Sequence, residues 1–173
     1  MQAMEFAILN GIQEYLRNGV MDILMPLVSL VNDHGEVWIV LAVILLLCGK
    51  EREGVSVASA LVMDLVACNL VLKPLIGRLR PFMVNTAVEL LVSPPMESSC
   101  PSGHTAVSFA AVFALKYSGS PLWKPAAVLA SVIAFSRLYL YVHWPSDILG
   151  GILLGWGLGW LGAKVGKKFF AKK

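Results

Sequence analysis

VWIVLAVILLLCG, residues 37–49, is the stretch that decides the class of fold, because it contains no charged side chain. Residues 148–163, ILGGILLGWGLGWLGA, are also uncharged, and residues 54–72 carry only Asp64. A helix that crosses a bilayer needs about 20 mostly apolar residues, and each of these runs forms the centre of such a segment. We therefore expect an all-α polytopic membrane helix bundle rather than a water-soluble domain.

The composition of the whole chain supports the same class. Of the 173 residues, 57% are hydrophobic and 14% are charged, whereas soluble domains average about 45–50% and about 25%. This balance excludes a disordered or nucleic-acid-binding chain and argues against an ordinary soluble enzyme. The length allows about six transmembrane helices, which we interpret as a single domain over residues 1–173. Residues 4–18 mix apolar and charged side chains at helical spacing, which predicts an N-terminal amphipathic segment at the interface.

The distribution of Lys and Arg predicts the orientation of the bundle. If six helices alternate in direction, four basic residues fall on one side: Lys73, Arg78, Arg80 and Arg137. Nine fall on the other side: Lys50, Arg52, Lys116, Lys124, Lys164, Lys167, Lys168, Lys172 and Lys173. Because basic loops remain in the cytoplasm, we expect both termini to be cytoplasmic and the side with four basic residues to be periplasmic or extracellular.

Three short polar segments are expected to meet on that outer face: residues 73–81, 101–104 and 136–147. The chain between His104 and Arg137 is long enough for one helical hairpin, which crosses the membrane and returns. Residues 73–101 form the one long predicted loop, and a proline-rich connection of this length is more often functional than idle. The topology alone therefore predicts one site built from three segments.

The residue types in these segments predict an anion site. Lys73, Arg80 and Arg137 place three cations at one membrane boundary, where a charge without a partner is costly. A phosphate group suits the fork of an arginine best. Ser102 is expected to cap a helix and to leave the amide of Gly103 free at the positive end of the helix dipole.

Two histidines add the elements of phosphoryl transfer. Asp147 follows His143 by four residues, so its carboxylate can hold one ring nitrogen and leave the other free as a nucleophile. His104 lies on a different segment and is available as an acid to the leaving oxygen and later as a base to water. The pattern predicts His143, His104 and Asp147 as catalytic residues.

Three motifs carry a resemblance to a known family. Lys73-x6-Arg80-Pro81, Pro101-Ser102-Gly103-His104 and Ser136-Arg137-x5-His143-x3-Asp147 resemble, in order and spacing, the signature of the type 2 phosphatidic acid phosphatase superfamily. The resemblance implies a membrane lipid phosphatase that works through a phosphohistidine on His143, with no metal and no cofactor. It also implies a set of phosphate-binding residues: Lys73, Arg80, Ser102, Gly103 and Arg137.

The substrate is less determined than the reaction. The compact architecture and the outward-facing site favour undecaprenyl diphosphate by family analogy. Phosphatidylglycerol phosphate, phosphatidic acid and a lipid A phosphate remain alternatives. A non-catalytic lipid-phosphate binder or transporter is a candidate from a different class. The soluble vanadium haloperoxidases share the signature, but the apolar composition argues against them.

Several polar residues are not explained by the motifs. Arg78 lies near the predicted cations but off the pattern, and we interpret it as an interfacial anchor. Asp64 is a carboxylate within an apolar run, where it either pairs with a neighbour such as Asn69 or has a functional role. His34 is expected in a solvated turn or at the rim of the site. Glycines 151, 155 and 159 recur at four-residue spacing and predict close helix packing.

Overall fold

The computed structural model describes residues 2–170, and within that range the chain forms helices and no strands. The helices are α1 (Gln2–Tyr15), α2 (Gly19–Leu30), α3 (Glu36–Leu47), α4 (Glu51–Asp64), α5 (Lys73–Ile76), α6 (Pro81–Val84), α7 (Gly103–Ser118), α8 (Trp123–Tyr139) and α9 (Pro145–Phe170). A π-helix, Leu65–Leu72, joins α4 to α5. The predicted all-α class is confirmed, whereas Lys172 and Lys173 of the predicted cytoplasmic tail lie outside the described residues.

Between residues 2 and 170, two segments are long and apolar enough to cross a membrane. They are Glu51–Val84, with 34 residues, and Pro145–Phe170, with 26. Helices α2 and α3 are apolar but have 12 residues each. Large apolar side chains such as Ile39, Val43 and Leu70 are exposed, which suits contact with lipid chains. The count of about six crossings and the interfacial position of α1 stay predictions.

Glycines allow α9 to pack closely against α7 and α4. A Cβ atom at Gly155 would lie 2.7 Å from the carbonyl oxygen of Ala106, and one at Gly159 would lie 2.6 Å from Cβ of Phe113, both on α7. A Cβ at Gly162 would overlap the backbone of α4. The close packing predicted from the glycine spacing is therefore confirmed. It places the first turns of α7 and α9 side by side.

The segment predicted as a long loop, residues 73–101, is only partly a loop. It contains the short helices α5 and α6, and its last residues fold back onto the chain between them. The backbone N–H of Ser99 donates to the carbonyl oxygen of Arg78 at 2.9 Å, and the Ser98 hydroxyl accepts from the N–H of Arg78 at 3.0 Å. These bonds hold residues 97–99 beside the N-terminal ends of α7 and α9.

Candidate active site

The three polar segments meet at one cavity of about 710 Å³. Six of the eight predicted site residues line it: Lys73, Arg80, Gly103, His104, Arg137 and His143. The other two, Ser102 and Asp147, are fully buried and are not part of its lining. Within residues 2–170, no group of three or more His, Cys, Asp or Glu side chains is arranged to hold a metal ion.

His143 lies in the connection between α8 and α9 and is 2% exposed. Its Nε2 atom is 3.3 Å from Nη1 of Arg80, and its Nδ1 atom is 3.5 Å from Oδ2 of Asp147. Because a guanidinium only donates hydrogen bonds, Nε2 is the acceptor and the ring proton sits on Nδ1. Burial above all, together with the positive charge of Arg80, lowers the pKa of His143 to about 3, although the hydrogen bond and charge of Asp147 act in the opposite direction. The imidazole is therefore neutral, with its lone pair directed toward the cavity.

A tight turn after α8 presents His143 to the cavity. Tyr141 adopts a φ of 60°, in the left-handed region that costs a residue with a side chain of order 1–3 kcal/mol. Its buried hydroxyl donates to Oδ1 of Asn10 at 2.7 Å and accepts from Asn85 at 3.2 Å. The turn also directs the carbonyl oxygen of Val142 to Nη1 of Arg80, at 2.9 Å.

Asp147 lies in the first turn of α9 with its carboxylate completely buried. Oδ2 accepts from the backbone N–H of Trp144 at 2.8 Å and from the hydroxyl of Ser99. Oδ1 accepts from Nη1 of Arg78 at 2.5 Å. The distance from Oδ2 to Nδ1 of His143, 3.5 Å, is longer than a normal hydrogen bond.

Two buried guanidinium groups make the cavity electropositive. Arg80 and Arg137 are 3% and 4% exposed. Arg80 donates to the carbonyl oxygens of Glu97 and Val142 at 2.8 and 2.9 Å, and Arg137 donates to the hydroxyl of Ser29. Within the described residues, neither guanidinium has a carboxylate within ion-pair distance. Buried cations with only neutral partners favour an anion beside them.

Lys73 is paired differently from the two arginines. Its Nζ atom is 2.5 Å from Oε2 of Glu97, on the segment that folds back over the site. This hydrogen bond and charge lower the pKa of the Glu97 carboxyl. Glu97 is 67% exposed at its side chain, whereas Lys73 is 12% exposed. The Glu97 carboxylate therefore contacts Lys73 from the solvent side. An incoming anion would meet the same lysine.

The start of α7 lies against Lys73. A Cβ atom at Gly103 would lie 3.4 Å from Nζ of Lys73, so glycine allows this close approach. Ser102 occupies the N-cap position, but its side chain makes no capping hydrogen bond, and its hydroxyl accepts from Thr105 at 3.0 Å. The predicted N-cap position is therefore confirmed, but the Ser102 hydroxyl contacts Thr105 and not a backbone amide. The first amides of α7 have no intrahelical acceptor.

His104 enters the cavity from the first turn of α7. Its carbonyl oxygen accepts from Asn32 at 3.3 Å and from the Ser108 hydroxyl at 2.7 Å, and these bonds fix the backbone at this position. Its Nε2 atom lies 3.7 Å from Oδ1 of Asp33, in the turn between α2 and α3. The two histidines thus reach one cavity from separate segments of the chain, the start of α7 and the connection between α8 and α9, as the sequence predicts.

Arg78 is the residue whose interpretation changes most. Nη1 of Arg78 binds Asp147, and Nη2 is 2.8 Å from Oε2 of Glu5 on α1. The interpretation as a simple interfacial anchor is therefore wrong. Sequence reasoning missed Glu5 entirely, because a carboxylate so far along the chain from Asp147 leaves no local signal.

The other unassigned residues lie near the cavity as well. His34 has an exposed side chain and contacts Glu36 at 3.0 Å, so it is a turn residue at the rim. Asp64 is 3% exposed and lines the inner part of the cavity. Its Oδ1 atom has no hydrogen-bond partner among the described residues.

Two related proteins align with about three quarters of this chain. An undecaprenyl-diphosphatase of Sulfolobus acidocaldarius is 34% identical over 131 residues, which are 75% of this chain and 63% of that protein. This chain thus spans less than two thirds of the length of that relative. A decaprenylphosphoryl-5-phosphoribose phosphatase of Mycobacterium tuberculosis is 34% identical over 139 residues, which are 78% of this chain and 75% of that protein.

The fold is also shared with a solved membrane protein. The crystal structure of a transmembrane PAP2 type phosphatidylglycerolphosphate phosphatase from Bacillus subtilis superposes with a TM-score of 0.74. It is 22% identical, and the match covers 98% of this chain and 87% of that one. The sequence profile of the PAP2 superfamily matches residues 53–171, which include all three motifs. With the motifs, the helical fold and the profile in agreement, the chain belongs to the PAP2 superfamily.

Proposed function

We propose that this protein is an integral membrane phosphatase that removes phosphate from a lipid phosphate or diphosphate without a metal or cofactor. The observation that carries the proposal is a neutral, buried imidazole, His143, beside two buried guanidinium groups, Arg80 and Arg137, in one cavity. A site that only bound phosphate would need the cations. It would not need an imidazole whose lone pair faces them.

Binding is assigned to the basic lining of the cavity. Lys73, Arg80 and Arg137 contact the phosphate oxygens, and the free amide of Gly103 adds a donor at the positive end of α7. Ser102 contributes by setting where α7 begins, since it is fully buried and is not part of the cavity lining. The phosphate oxygens replace the carboxylate of Glu97 as the partner of Lys73.

The first chemical step transfers the phosphoryl group to His143. Nε2 attacks phosphorus, the bond from phosphorus to the leaving oxygen breaks, and His104 donates a proton to that oxygen. An anionic phosphate bound beside His104 favours the protonated imidazole that this step requires. The proton on Nδ1 of His143 faces Asp147, whose carboxylate stabilises the positive charge that develops on the ring.

The second step hydrolyses the phosphohistidine. His104, now neutral, takes a proton from water as the water oxygen attacks phosphorus. The bond from Nε2 to phosphorus breaks and its electron pair returns to the ring. Inorganic phosphate leaves, His143 is again neutral, and His104 is again protonated for the next cycle.

The cavity supports a lipid as the substrate. Beyond the basic end, its lining is mostly apolar, although Asp64 and Asn69 also belong to it. The apolar lining residues of α3, α4 and the π-helix are Ile39, Ala42, Val43, Leu46, Ala58, Leu61, Val62 and Leu65. A phosphate at the basic end therefore leaves the alkyl chain against apolar side chains. Two similar proteins carry names that describe polyprenyl phosphates, so we propose undecaprenyl diphosphate as the substrate. Phosphatidylglycerol phosphate and phosphatidic acid are the alternatives.

The proposed location follows from the charges of the loops. The site is proposed to face the periplasm or the exterior, with both termini in the cytoplasm and about six helices crossing the membrane. Residues 1–173 are proposed to act as a single domain. The partners are then the lipid substrate and the bilayer, with no nucleic acid.

Phosphoenzyme trapping tests the proposal. The purified protein is incubated with ³²P-labelled undecaprenyl diphosphate, phosphatidylglycerol phosphate, phosphatidic acid or lipid A, and is then quenched in alkali. We expect a base-stable, acid-labile label and phosphate release, fastest with undecaprenyl diphosphate. His143→Ala should abolish both, whereas His34→Ala, which removes the exposed histidine at the rim, should retain the label.

Other results identify other functions. Full phosphate release by His143→Ala would contradict the covalent mechanism. Lipid binding without any release, by wild type and His143→Ala alike, would indicate a non-catalytic lipid-phosphate binder or transporter. A different fastest lipid would correct the substrate and leave the mechanism intact.

A further inference from the structure

The carboxylate of Asp147 is held at both of its oxygen atoms. Oδ2 binds the backbone N–H of Trp144 and the hydroxyl of Ser99, and it faces Nδ1 of His143. Oδ1 binds Nη1 of Arg78 at 2.5 Å. A carboxylate bound at one oxygen can rotate about its last torsion, which is broad. One that is bound at both oxygens cannot, so the contact with Arg78 determines where Oδ2 points.

Arg78 faces away from the cavity where phosphate would bind. It is absent from the lining, which includes Lys73, Arg80 and Arg137. Its Nη1 atom also donates to the Ser146 hydroxyl at 2.7 Å, and its guanidinium lies 5.4 Å from the centre of the Trp144 ring. Of the four cations on this side of the protein, Arg78 is thus the one that binds the start of α9 instead of the cavity.

Helix α1 completes this arrangement through Glu5, which is 6% exposed. Oε2 of Glu5 accepts from Arg78 at 2.8 Å. Oε1 accepts from the Ser146 backbone N–H at 3.1 Å and from its hydroxyl at 2.6 Å. The Phe6 ring packs edge-on against Trp144, with ring centres 4.8 Å apart. Glu5 therefore fixes both the guanidinium and the first turn of α9 on which Asp147 is carried.

We propose that Arg78 and Glu5 are positioning residues for His143, acting through Asp147, and that α1 is required for the alignment of the nucleophile. This inference rests on the proposed function. One guanidinium lies between two buried carboxylates, and without it these two like charges would face each other. Asp147 would then turn or take up a proton, and the proton on Nδ1 of His143 would lose its acceptor. A nucleophile displaced by about 1 Å can lose about 100-fold in rate.

The inference predicts a loss in turnover and not in phosphate binding. Arg78→Gln should lower kcat by about 10- to 100-fold and should leave KM nearly unchanged. Glu5→Gln keeps the size of the side chain, removes its charge, and should lower kcat by a smaller factor. Arg78→Lys keeps the positive charge but replaces the planar fork, whose two nitrogens reach the two carboxylates, by a single ammonium, so it should restore kcat only in part. Arg52→Gln, an exposed arginine at the start of α4, is the matched control and should change neither parameter.

A binding comparison separates positioning from general structural support. Orthovanadate accepts a fifth ligand from an aligned nucleophile, whereas inorganic phosphate binds through charge and hydrogen bonds. Both affinities are measured on the full chain in detergent by the shift in thermal unfolding. In Arg78→Gln, vanadate affinity should fall by about tenfold or more, while phosphate affinity should stay within about twofold of wild type.

Each outcome decides the proposal. An equal loss of vanadate and phosphate affinity would make Arg78 a phosphate ligand and would overturn the inference. Unchanged kcat and unchanged vanadate affinity in Arg78→Gln would overturn it too. If Arg78→Gln does not fold, Glu5→Gln and Arg78→Lys carry the same comparison. If the wild-type protein binds vanadate no more tightly than phosphate, the assignment of the nucleophile is refuted, and with it the proposed mechanism. If wild type and every variant prefer vanadate over phosphate to the same extent, only the positioning role is refuted.

Discussion

The contact between Glu97 and Lys73 yields a prediction about substrate affinity. In the proposed reaction, the phosphate displaces the carboxylate of Glu97 from Lys73. Breaking that ion pair costs part of the free energy of phosphate binding. Glu97→Gln removes the competing charge. The variant keeps the backbone carbonyl of residue 97 that accepts from Nε of Arg80 at 2.8 Å. We therefore expect tighter phosphate binding with an undisturbed site.

The size of the effect follows from the exposure of the pair. Ion pairs at exposed positions contribute about 0.2–1 kcal/mol. Lys73 is only 12% exposed whereas Glu97 is 67% exposed, so this pair belongs at the upper end of that range. A gain of about 1 kcal/mol corresponds to an affinity about fivefold higher. The inhibition constant of inorganic phosphate should fall by about two- to fivefold in Glu97→Gln, and KM should fall with it.

The pH dependence provides a further check on the same prediction. Lys73 lowers the pKa of Glu97, so this carboxylate stays charged down to a pH below the usual range for glutamate. The difference between wild type and Glu97→Gln should therefore persist at neutral pH and vanish only in more acidic solution. Glu89→Gln, an exposed glutamate in the same segment, is the matched control. An inhibition constant in Glu97→Gln that is unchanged or higher than wild type would refute the reasoning.

Three further predictions concern the acid, the helix packing and the nucleophile. His104→Ala should lower turnover of alkyl phosphates by about 100-fold or more. The variant should still form phosphoenzyme from an aryl phosphate, because that leaving group needs no proton, and rapid quench should show this as a burst. Gly155→Ala should destabilise the protein by about 1–3 kcal/mol in thermal unfolding, because the added Cβ meets the backbone of α7. The free energy of unfolding should fall as the pH drops below about 6.5, the pKa of a histidine in the unfolded chain. This is because buried His143 in the folded protein takes up its proton only near a pKa of about 3. The variant His143→Asn should show a smaller decrease when unfolding is measured across the same pH range.

Controls decide these three cases. Loss of phosphate affinity in His104→Ala equal to the loss of turnover would contradict its role as the acid. Gly157→Ala adds a Cβ with nothing within 4 Å and should not destabilise; equal destabilisation at both glycines would contradict the packing argument. A slope with pH that is the same in wild type and His143→Asn would show that His143 is not the group being titrated.

The parts of the site that could be predicted are those encoded locally. Asp147, in the first turn of α9, follows His143 by only four residues, so their contact depends on one short stretch of the chain. The meeting of His104 and His143 required only the alternation of helices and the length of one hairpin. The glycines of α9 predicted close packing because their spacing repeats along one helix face.

The parts that could not be predicted depend on contacts between distant segments. Glu5 and Ser146 are 141 residues apart, and no periodicity links them. Glu97 reaches Lys73 from an irregular segment in which neither helix nor strand spacing applies. The π-helix from Leu65 to Leu72 has the same apolar composition as an α-helix, so composition could not distinguish the two.

The measurement that tests the central claim most directly is the site of the phosphoryl group on the trapped enzyme. Wild-type protein turning over undecaprenyl diphosphate is quenched in alkali, digested, and sequenced by mass spectrometry under conditions that preserve phosphohistidine. The account predicts one phosphoryl group on His143 and none on His104 or His34. A phosphoryl group on another residue, or steady turnover with no phosphorylated peptide at any quench time, would contradict it.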